Sequence, residues 1–312
     1  MPHIHHSTCP VCFSSAIQFC TRVQDHAVTK EWFELWSCAD CKALFTQDIP
    51  DETAIAAYYH SENYISHTDT RKGWLFKAYH AARWLALRRK YQLIRKAFHT
   101  YVPTWDMHAL QTQPKVLDIG CGTGSFLHMM QTHGWQPVGV EPSETARSLA
   151  KKKYQLDVQD PIQLNTFPDQ HFTLITLWHV LEHIHALHEY LSTIYRLLHE
   201  YGLVFIAVPN YTSFDERFFG NYWAAYDVPR HLYHFAPQTM QSLLASHRFE
   251  MVKMLPMRMD AFYIAWLSSL YARQRLPFAY GMMTGFISWL LSQRHPMQSS
   301  SLLYIARKRQ AD

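Results

Sequence analysis

Residues 116–127 read VLDIGCGTGSFL: a short apolar strand, three alternate glycines, then the first turn of a helix. The strand delivers Asp118, and Gly120, Gly122 and Gly124 follow it through a sharp turn. Such a loop needs positive backbone dihedrals and bare peptide where a ligand touches it, and glycine supplies both. Twenty-three residues beyond Asp118, WQPVGVEP closes a second strand on Glu141 and Pro142. A carboxylate there is placed to accept both hydroxyls of a ribose. A dinucleotide fingerprint would carry its third glycine one position later, where Ser125 stands, so NAD or FAD fits less well.

Working outward, strands and helices alternate. SETARSLAKKK predicts a helix with Ser143 as N-cap and lysines near its end. HFTLITLW and GLVFIAVPN are buried strands. Between them HALHEYLSTIYRLLHEYG carries Leu187, Leu191, Ile194 and Leu198 on one helical face, with Gly202 ending it. FEMVKMLP and SLLYIARK are late strands. This rhythm predicts an α/β fold with a doubly wound parallel sheet.

At these residues the chain resembles the class I S-adenosylmethionine-dependent methyltransferases. The resemblance covers residues 114 to 312. It implies a seven-stranded Rossmann-like sheet with SLLYIARK inserted last and antiparallel. It also implies a cofactor site at Asp118, Gly120, Cys121, Gly122, Gly124, Glu141, Pro142 and Trp178, with Glu141 on the ribose. LWHVLEHI, the VPN after strand five, and WAAYDVPRHLYHF make the chain look more closely like the type 23 group, which often carries a CxxC…CxxC ribbon in front. Strand four departs from that pattern, opening with Phe172-Thr173 where Phe-Asp is usual. Asp160, after strand three, is a candidate for the adenine end.

The ribbon is visible on its own terms. Cys9-Pro-Val-Cys12 and Cys38-Ala-Asp-Cys41 are two knuckles about two dozen residues apart, the spacing that closes on one tetrahedral structural zinc. Chance pairing of free thiols is the plain alternative, and Cys20 reads as a spare. Residues 1–50 are thus expected to form a zinc ribbon, 51–112 a helical connecting segment, and 113–312 the methyltransferase domain with an insertion at about 260–293. In the connecting segment Trp84, Leu87, Tyr91, Ile94 and Phe98 form an apolar helical stripe. No acidic residue lies between Asp69 and Asp106, whereas Arg71, Lys72, Lys77, Arg83 and further basic residues do. They read as a solvated flank, or as a cradle for an anionic substrate or lipid headgroup.

Composition limits the rest. A 312-residue chain with 48% hydrophobic and 17% charged residues builds real cores and is not disordered. A net charge of +4 demands neither nucleic acid nor membrane. MPHIHHSTCP has no apolar leader core, and no run reaches about 18 apolar residues. Six cysteines without an export signal suit metal and free thiols. A cytoplasmic protein is expected, with peripheral membrane contact as the variant.

LITLWHVLEHIH (174–185) ends strand four in three histidines and a glutamate. Ligands bind outside the carboxyl ends of such strands, so His179 faces the reactive methyl, and a helical turn would align it with Glu182 and His183. The H-x-x-E-H match to an inverzincin protease fails on context. Small-RNA 2′-O-methyltransferases and ubiquinone-type O-methyltransferases are similar here, holding a divalent ion with E-x-x-E-H. His179 replaces the first glutamate, which favours a more nitrogen-loving metal, with His231 or His234 as a further ligand. Zinc-ribbon sugar C-methyltransferases also look similar, and by that likeness His179 is the general base. His231, in FGNYWAAYDVPRHLYHF, is the second candidate base. That segment either frames a polar substrate with Asp227 and Arg230 or packs with those two paired. AFYIAWLSSLY and GMMTGFISWLL in the insertion are too short to span a bilayer; they suit a lid, a dimer contact or a membrane-facing surface. The expected activity is methylation of a small-molecule, glycan-type or lipid-linked acceptor, on oxygen with a histidine base. Sugar C-methylation, RNA methylation and a non-catalytic scaffold are the rivals; modest charge weighs against nucleic acid, and oligomeric state stays open.

Overall fold

Seven strands form the central sheet: β1 Lys115–Ile119, β2 Gln136–Val140, β3 Asp157–Gln159, β4 Phe172–Trp178, β5 Leu198–Pro209, β6 Phe249–Pro256 and β7 Ser301–Lys308. Their order across the sheet is β6-β7-β5-β4-β1-β2-β3. The pairs β1–β2, β1–β4, β2–β3 and β4–β5 are parallel, whereas β7 runs antiparallel to both β5 and β6. The computed structural model describes residues 3–59, 74–102 and 113–310. Arg71 and Lys72 lie outside them, as do Asp69 and Asp106 and the side chains of Lys77 and Arg83.

Helices α1 Trp74–Tyr101, α2 Ser125–Thr132, α3 Glu144–Tyr154, α4 Leu187–Leu197, α5 Phe214–Phe219, α6 Pro237–Ser246, α7 Asp260–Tyr271 and α8 Pro277–Arg294 surround the sheet. Strands buried on both faces read as continuous apolar runs, and Leu174, Ile175, Leu177, Val204, Phe205 and Ile206 are all fully buried. Ser143 caps α3 by accepting the Ala146 N–H at 3.3 Å. The α1 stripe packs where expected: Ile94 and Phe98 are buried, and Phe98 meets Trp135 edge-on at 5.5 Å. At Trp84 the stripe emerges into solvent, with Arg88 over the ring.

One boundary differs from the sequence expectation. Leu198 opens β5 instead of closing α4, and Gly202 lies inside that strand at an irregularity between Leu198 and Leu203. Pairing with β4 overrides the helical period there. A side chain at Gly202 would stand 2.9 Å from the Thr173 carbonyl.

The N-terminal strands Ile17–Gln24, Trp32–Cys38 and Leu44–Thr46 make an antiparallel sheet whose fourth strand, Tyr233–His234, comes from the segment after β5. Phe45 pairs with Tyr233 and Leu44 with His234. The ribbon is therefore stitched into the segment that follows β5. Deeply buried Arg230 strengthens the seam, reaching Asp25 at 2.9 Å and Asp227 at 2.6 Å.

Candidate active site

The glycine loop turns at the carboxyl end of β1. Gly120, Gly122 and Gly124 have φ of 70°, 53° and 76°. Each is glycine for its own reason. A methyl on Gly120 would strike Val180 in the loop after β4, and one on Gly124 would strike Leu156 and Ala150. Above Gly122 there is nothing within 4 Å, so the open space lies at the middle glycine.

Glu141 reaches back from the end of β2. Its carboxylate accepts the Gly122 N–H at 2.9 Å and the Ser143 N–H at 3.0 Å. Pro142 follows it, and its carbonyl accepts from Arg147 at 2.8 Å. Arg147 also pairs with Asp160 at 3.1 Å, which sets Asp160 at the same edge of the sheet. Asp118 is buried beneath the loop and accepts the Thr176 hydroxyl at 2.6 Å. Burial pushes its carboxyl up to about 7, against the Thr176 hydrogen bond and the Lys90 charge. Cys121 is buried, and burial pushes its thiol well up.

Two groups here escaped the sequence reading. Lys90 reaches from α1 to within 3.8 Å of the Trp178 ring centroid, a cation–π contact, and burial lowers its ammonium to about 8. Its position three residues after Leu87 and four before Ile94 put it on the apolar stripe, which was a usable signal. Asp260, at the start of α7, lies 3.1 Å from His179 Nε2, and nothing local announced that contact.

His179 leaves β4 in the left-handed region, φ 58°, held by its N–H on the Ala207 carbonyl. The following turn, Leu181–His183, is 3₁₀, so His179, Glu182 and His183 do not line one α-helical face as expected. His179 instead lies between carboxylates, with Nδ1 3.5 Å from Glu182 and Nε2 on Asp260. Burial opposes its protonation, but those two carboxylates win and raise it to about 10. A third of the side chain stays open to solvent.

Behind it lies a second cluster. Glu182, His183 and His231 bring their ligand atoms within 4.8 Å of one another. His183 Nδ1 lies 2.9 Å from the Arg230 carbonyl and His231 Nδ1 2.8 Å from the Ala225 carbonyl. A carbonyl only accepts, so both rings carry a proton on Nδ1, which leaves Nε2 as the free ring atom of each. Glu182 is fully buried, with no hydrogen bond to either oxygen. Burial, and then the neighbouring His231, lower His183 to about 4. His234, also proposed as a ligand, turns away to Thr46 at 3.4 Å. Asp227 and Arg230 are paired, as the packing alternative expects.

At the other end of the ribbon, Cys9–Cys41 and Cys12–Cys38 have Sγ–Sγ distances of 3.6 Å each. Bonds of about 2.3 Å to zinc set a tetrahedral edge of roughly 3.8 Å, so the four thiols are arranged for that ion. Cys20 is exposed and free.

These titrations predict a pH profile. His6, His26, His171, His183, His234 and His247 are all held below 6.5, with burial the first cause in each. The unfolded chain binds protons there more readily, so stability is expected to fall as pH drops below about 6.5, by less than the histidines alone would remove because Asp118, raised to about 7, gains over the same range. His179 has the opposite sign: its contribution is complete below 6.5 and is lost as pH rises through about 10. Thermal midpoints recorded from neutral to acid pH check this, and a flat profile would contradict it.

A family profile for a methyltransferase domain, type 23, matches residues 68–254, more than half of the chain. The chain belongs to this methyltransferase family. A ubiquinone biosynthesis O-methyltransferase of Glaesserella parasuis is 32% identical over 110 residues, covering 32% of this chain and 47% of that protein. Its counterpart in Rhodopseudomonas palustris is 27% identical over 101 residues, 31% of this chain and 40% of that one. The chain thus spans less than half the length of these curated relatives. Among solved structures, a provisionally named sarcosine dimethylglycine methyltransferase from Galdieria sulphuraria aligns with 73% of this chain and 88% of its own at a TM-score of 0.51 and 14% identity, which shows a shared fold.

Proposed function

We propose that this methyltransferase moves the methyl group of S-adenosylmethionine to a hydroxyl oxygen of a small-molecule acceptor, glycan-type acceptors included. The observation that carries the reading is the open space over Gly122 beside Glu141, one strand from the exposed edge of His179. In this reading Gly120, Cys121, Gly122 and Gly124 admit the cofactor to bare backbone, Glu141 and Pro142 hold the ribose, and Asp118 and Trp178 bound the methionine end. S-adenosylmethionine supplies an activated methyl, so the protein has to align the nucleophile and take one proton. His179, kept protonated by Asp260 and Glu182, sets a positive charge at the edge of the site that orients the acceptor. His231, whose Nδ1 is held by the Ala225 carbonyl, is the base through Nε2. Replacing Glu141 by Ala is expected to weaken S-adenosylhomocysteine binding at least tenfold, the loss of about 1.4 kcal/mol of charged hydrogen bonding. His179→Ala should leave that affinity near wild type while turnover collapses. Calorimetric titration and single-turnover assays separate the two, and unchanged turnover would remove His179 from the mechanism.

The four cysteines are proposed to hold a structural zinc. A second reading adds a divalent ion at Glu182, His183 and His231, and a specific observation favours it: a buried carboxylate with no hydrogen bond to either oxygen has its ligand atom within 4.8 Å of those of two imidazoles. Nitrogen and carboxylate donors suit zinc, iron or manganese better than magnesium. An ion held there would act as a Lewis acid on an acceptor hydroxyl. Elemental analysis of wild type and Cys38→Ser decides between the readings. One zinc per chain, lost in the variant, leaves proton transfer to the histidines; a second metal that survives places it at Glu182.

A further inference from the structure

The pair α7–α8 is built inside out. Gly281 packs on Trp266 and Gly285 on Phe262, so the helices run antiparallel with their backbones touching; a Cβ at Gly281 would stand 2.4 Å from the Trp266 Cα. The face toward the rest of the protein is small and hydroxylated. Ala265, Ser268, Ser269, Thr284 and Ser288 are buried there. Ser268 Oγ accepts the Ala224 N–H, and the Ser288 hydroxyl donates to Asp215. The opposite face is large and apolar: Tyr263, Leu270, Phe278, Met283, Phe286 and Leu290 are 42–64% exposed. Of the twenty-one large apolar side chains exposed among the described residues, ten fall between Met259 and Met297.

A helix facing water has the reverse arrangement. Small residues at a Gly-x-x-x-Gly seam with bulky apolar groups outside are how helices pack in lipid. Length decides how this pair would sit there. At eighteen residues α8 is about 27 Å long, and no helix among the described residues is long and apolar enough to cross a membrane. A helix pair of this kind lies along an interface.

Charge identifies the occupant. From Ala261 to Gln293 the only charged residues are Arg273 and Arg275, both in the connection between the helices. Beside them a cleft of about 330 Å³ is lined by Gln24, His26, Lys30, Leu270, Tyr271 and Arg273. We propose that the outer face of α7–α8 docks on an anionic phospholipid bilayer, its aromatic and aliphatic side chains among the acyl chains and Lys30, Arg273 and Arg275 on the phosphates. A second copy of this chain meets that demand poorly. The hairpin's lone acidic residue, Asp260, is already engaged by His179, so paired hairpins would leave the arginines unmatched.

The test is co-sedimentation of the full chain with vesicles containing phosphatidylglycerol and with vesicles of phosphatidylcholine alone. Wild type should sediment with the anionic vesicles, less so at high salt. Arg273→Gln with Arg275→Gln should lower that partition about 30-fold, roughly fivefold for each charge, and leave the neutral vesicles little changed. Phe278→Ser, Phe286→Ser and Leu290→Ser together should lower both. Unchanged S-adenosylhomocysteine affinity reports that each variant has folded, and the arginine pair tests the idea even if the triple variant has not. Wild type left in the supernatant would overturn the proposal. So would dimers in analytical ultracentrifugation that the triple substitution dissolves without any vesicle binding.

Discussion

Arg230→Met is expected to cost about 3–5 kcal/mol of stability, because it strips the counter-charge from carboxylates that stay buried. The guanidinium is 1% exposed and satisfied on every side. It holds Asp25 and Asp227, and its Nη1 donates to the Tyr58 carbonyl at 2.8 Å. Asp25 is committed elsewhere too: its carboxylate accepts the N–H groups of Ala27, Val28 and Thr29, so it cannot swing out to water without undoing its own turn. The Arg230 carbonyl also fixes the His183 tautomer, so the substitution should damage turnover beyond its effect on stability. Urea unfolding gives the stability loss. In a double-mutant cycle with Asp25→Asn, the pair should couple by more than about 1 kcal/mol. Additive effects would mean that Arg230 does not tie the ribbon to the catalytic side.

Such contacts mark the limit of what the sequence reveals. The glycine loop and Glu141 were legible because their chemistry is local: the turn, its dihedrals and the strand-end carboxylate are written within some two dozen residues. FEMVKMLP and SLLYIARK came out as strands with the expected bounds, the first a half-buried edge strand and the second an apolar run buried inside the sheet. The α4–β5 junction was misplaced because Leu198 fits either period and only pairing with Phe172 on β4 decides. The place of His179 beside the histidine cluster was misjudged for a different reason. H-x-x-E-H reads as one helical face, but His179 leaves its strand in a left-handed conformation, stepping it away from His183 and toward Asp260. Its place in the cluster is taken by His231, one of the two further ligands that the sequence offered. Asp25 and Arg230 are 205 residues apart, and nothing local to either one announces their pairing.

Stripping the ion proposed at the four cysteines should abolish methyl transfer, and the reason is in how the knuckles are anchored. Cys38 ends one ribbon strand, and Leu44–Thr46 begins just past Cys41. That short strand pairs with Tyr233–His234, and the Thr46 hydroxyl donates to the His231 carbonyl at 2.7 Å. The knuckles also touch the methyltransferase side directly. The Cys41 carbonyl accepts the Thr239 hydroxyl at 2.9 Å, and the Pro10 carbonyl lies 3.2 Å from His188 Nε2. Structural zinc contributes about 10–16 kcal/mol of apparent binding energy in small domains that have little else. Here it would also hold the backbone on which His231 is mounted. Cys9→Ser, or exhaustive chelation, should therefore lower turnover at least about 100-fold, equivalent to roughly 2.7 kcal/mol at the transition state. The Glu141 carboxylate is held by the Gly122 and Ser143 N–H groups, neither of which belongs to the ribbon, so S-adenosylhomocysteine affinity should change little. That split is the informative result. Lost turnover with retained cofactor binding makes the ribbon a brace for the acceptor side, loss of both would mean the catalytic domain does not stand without it, and full activity in a metal-free chain would detach the ribbon from catalysis altogether.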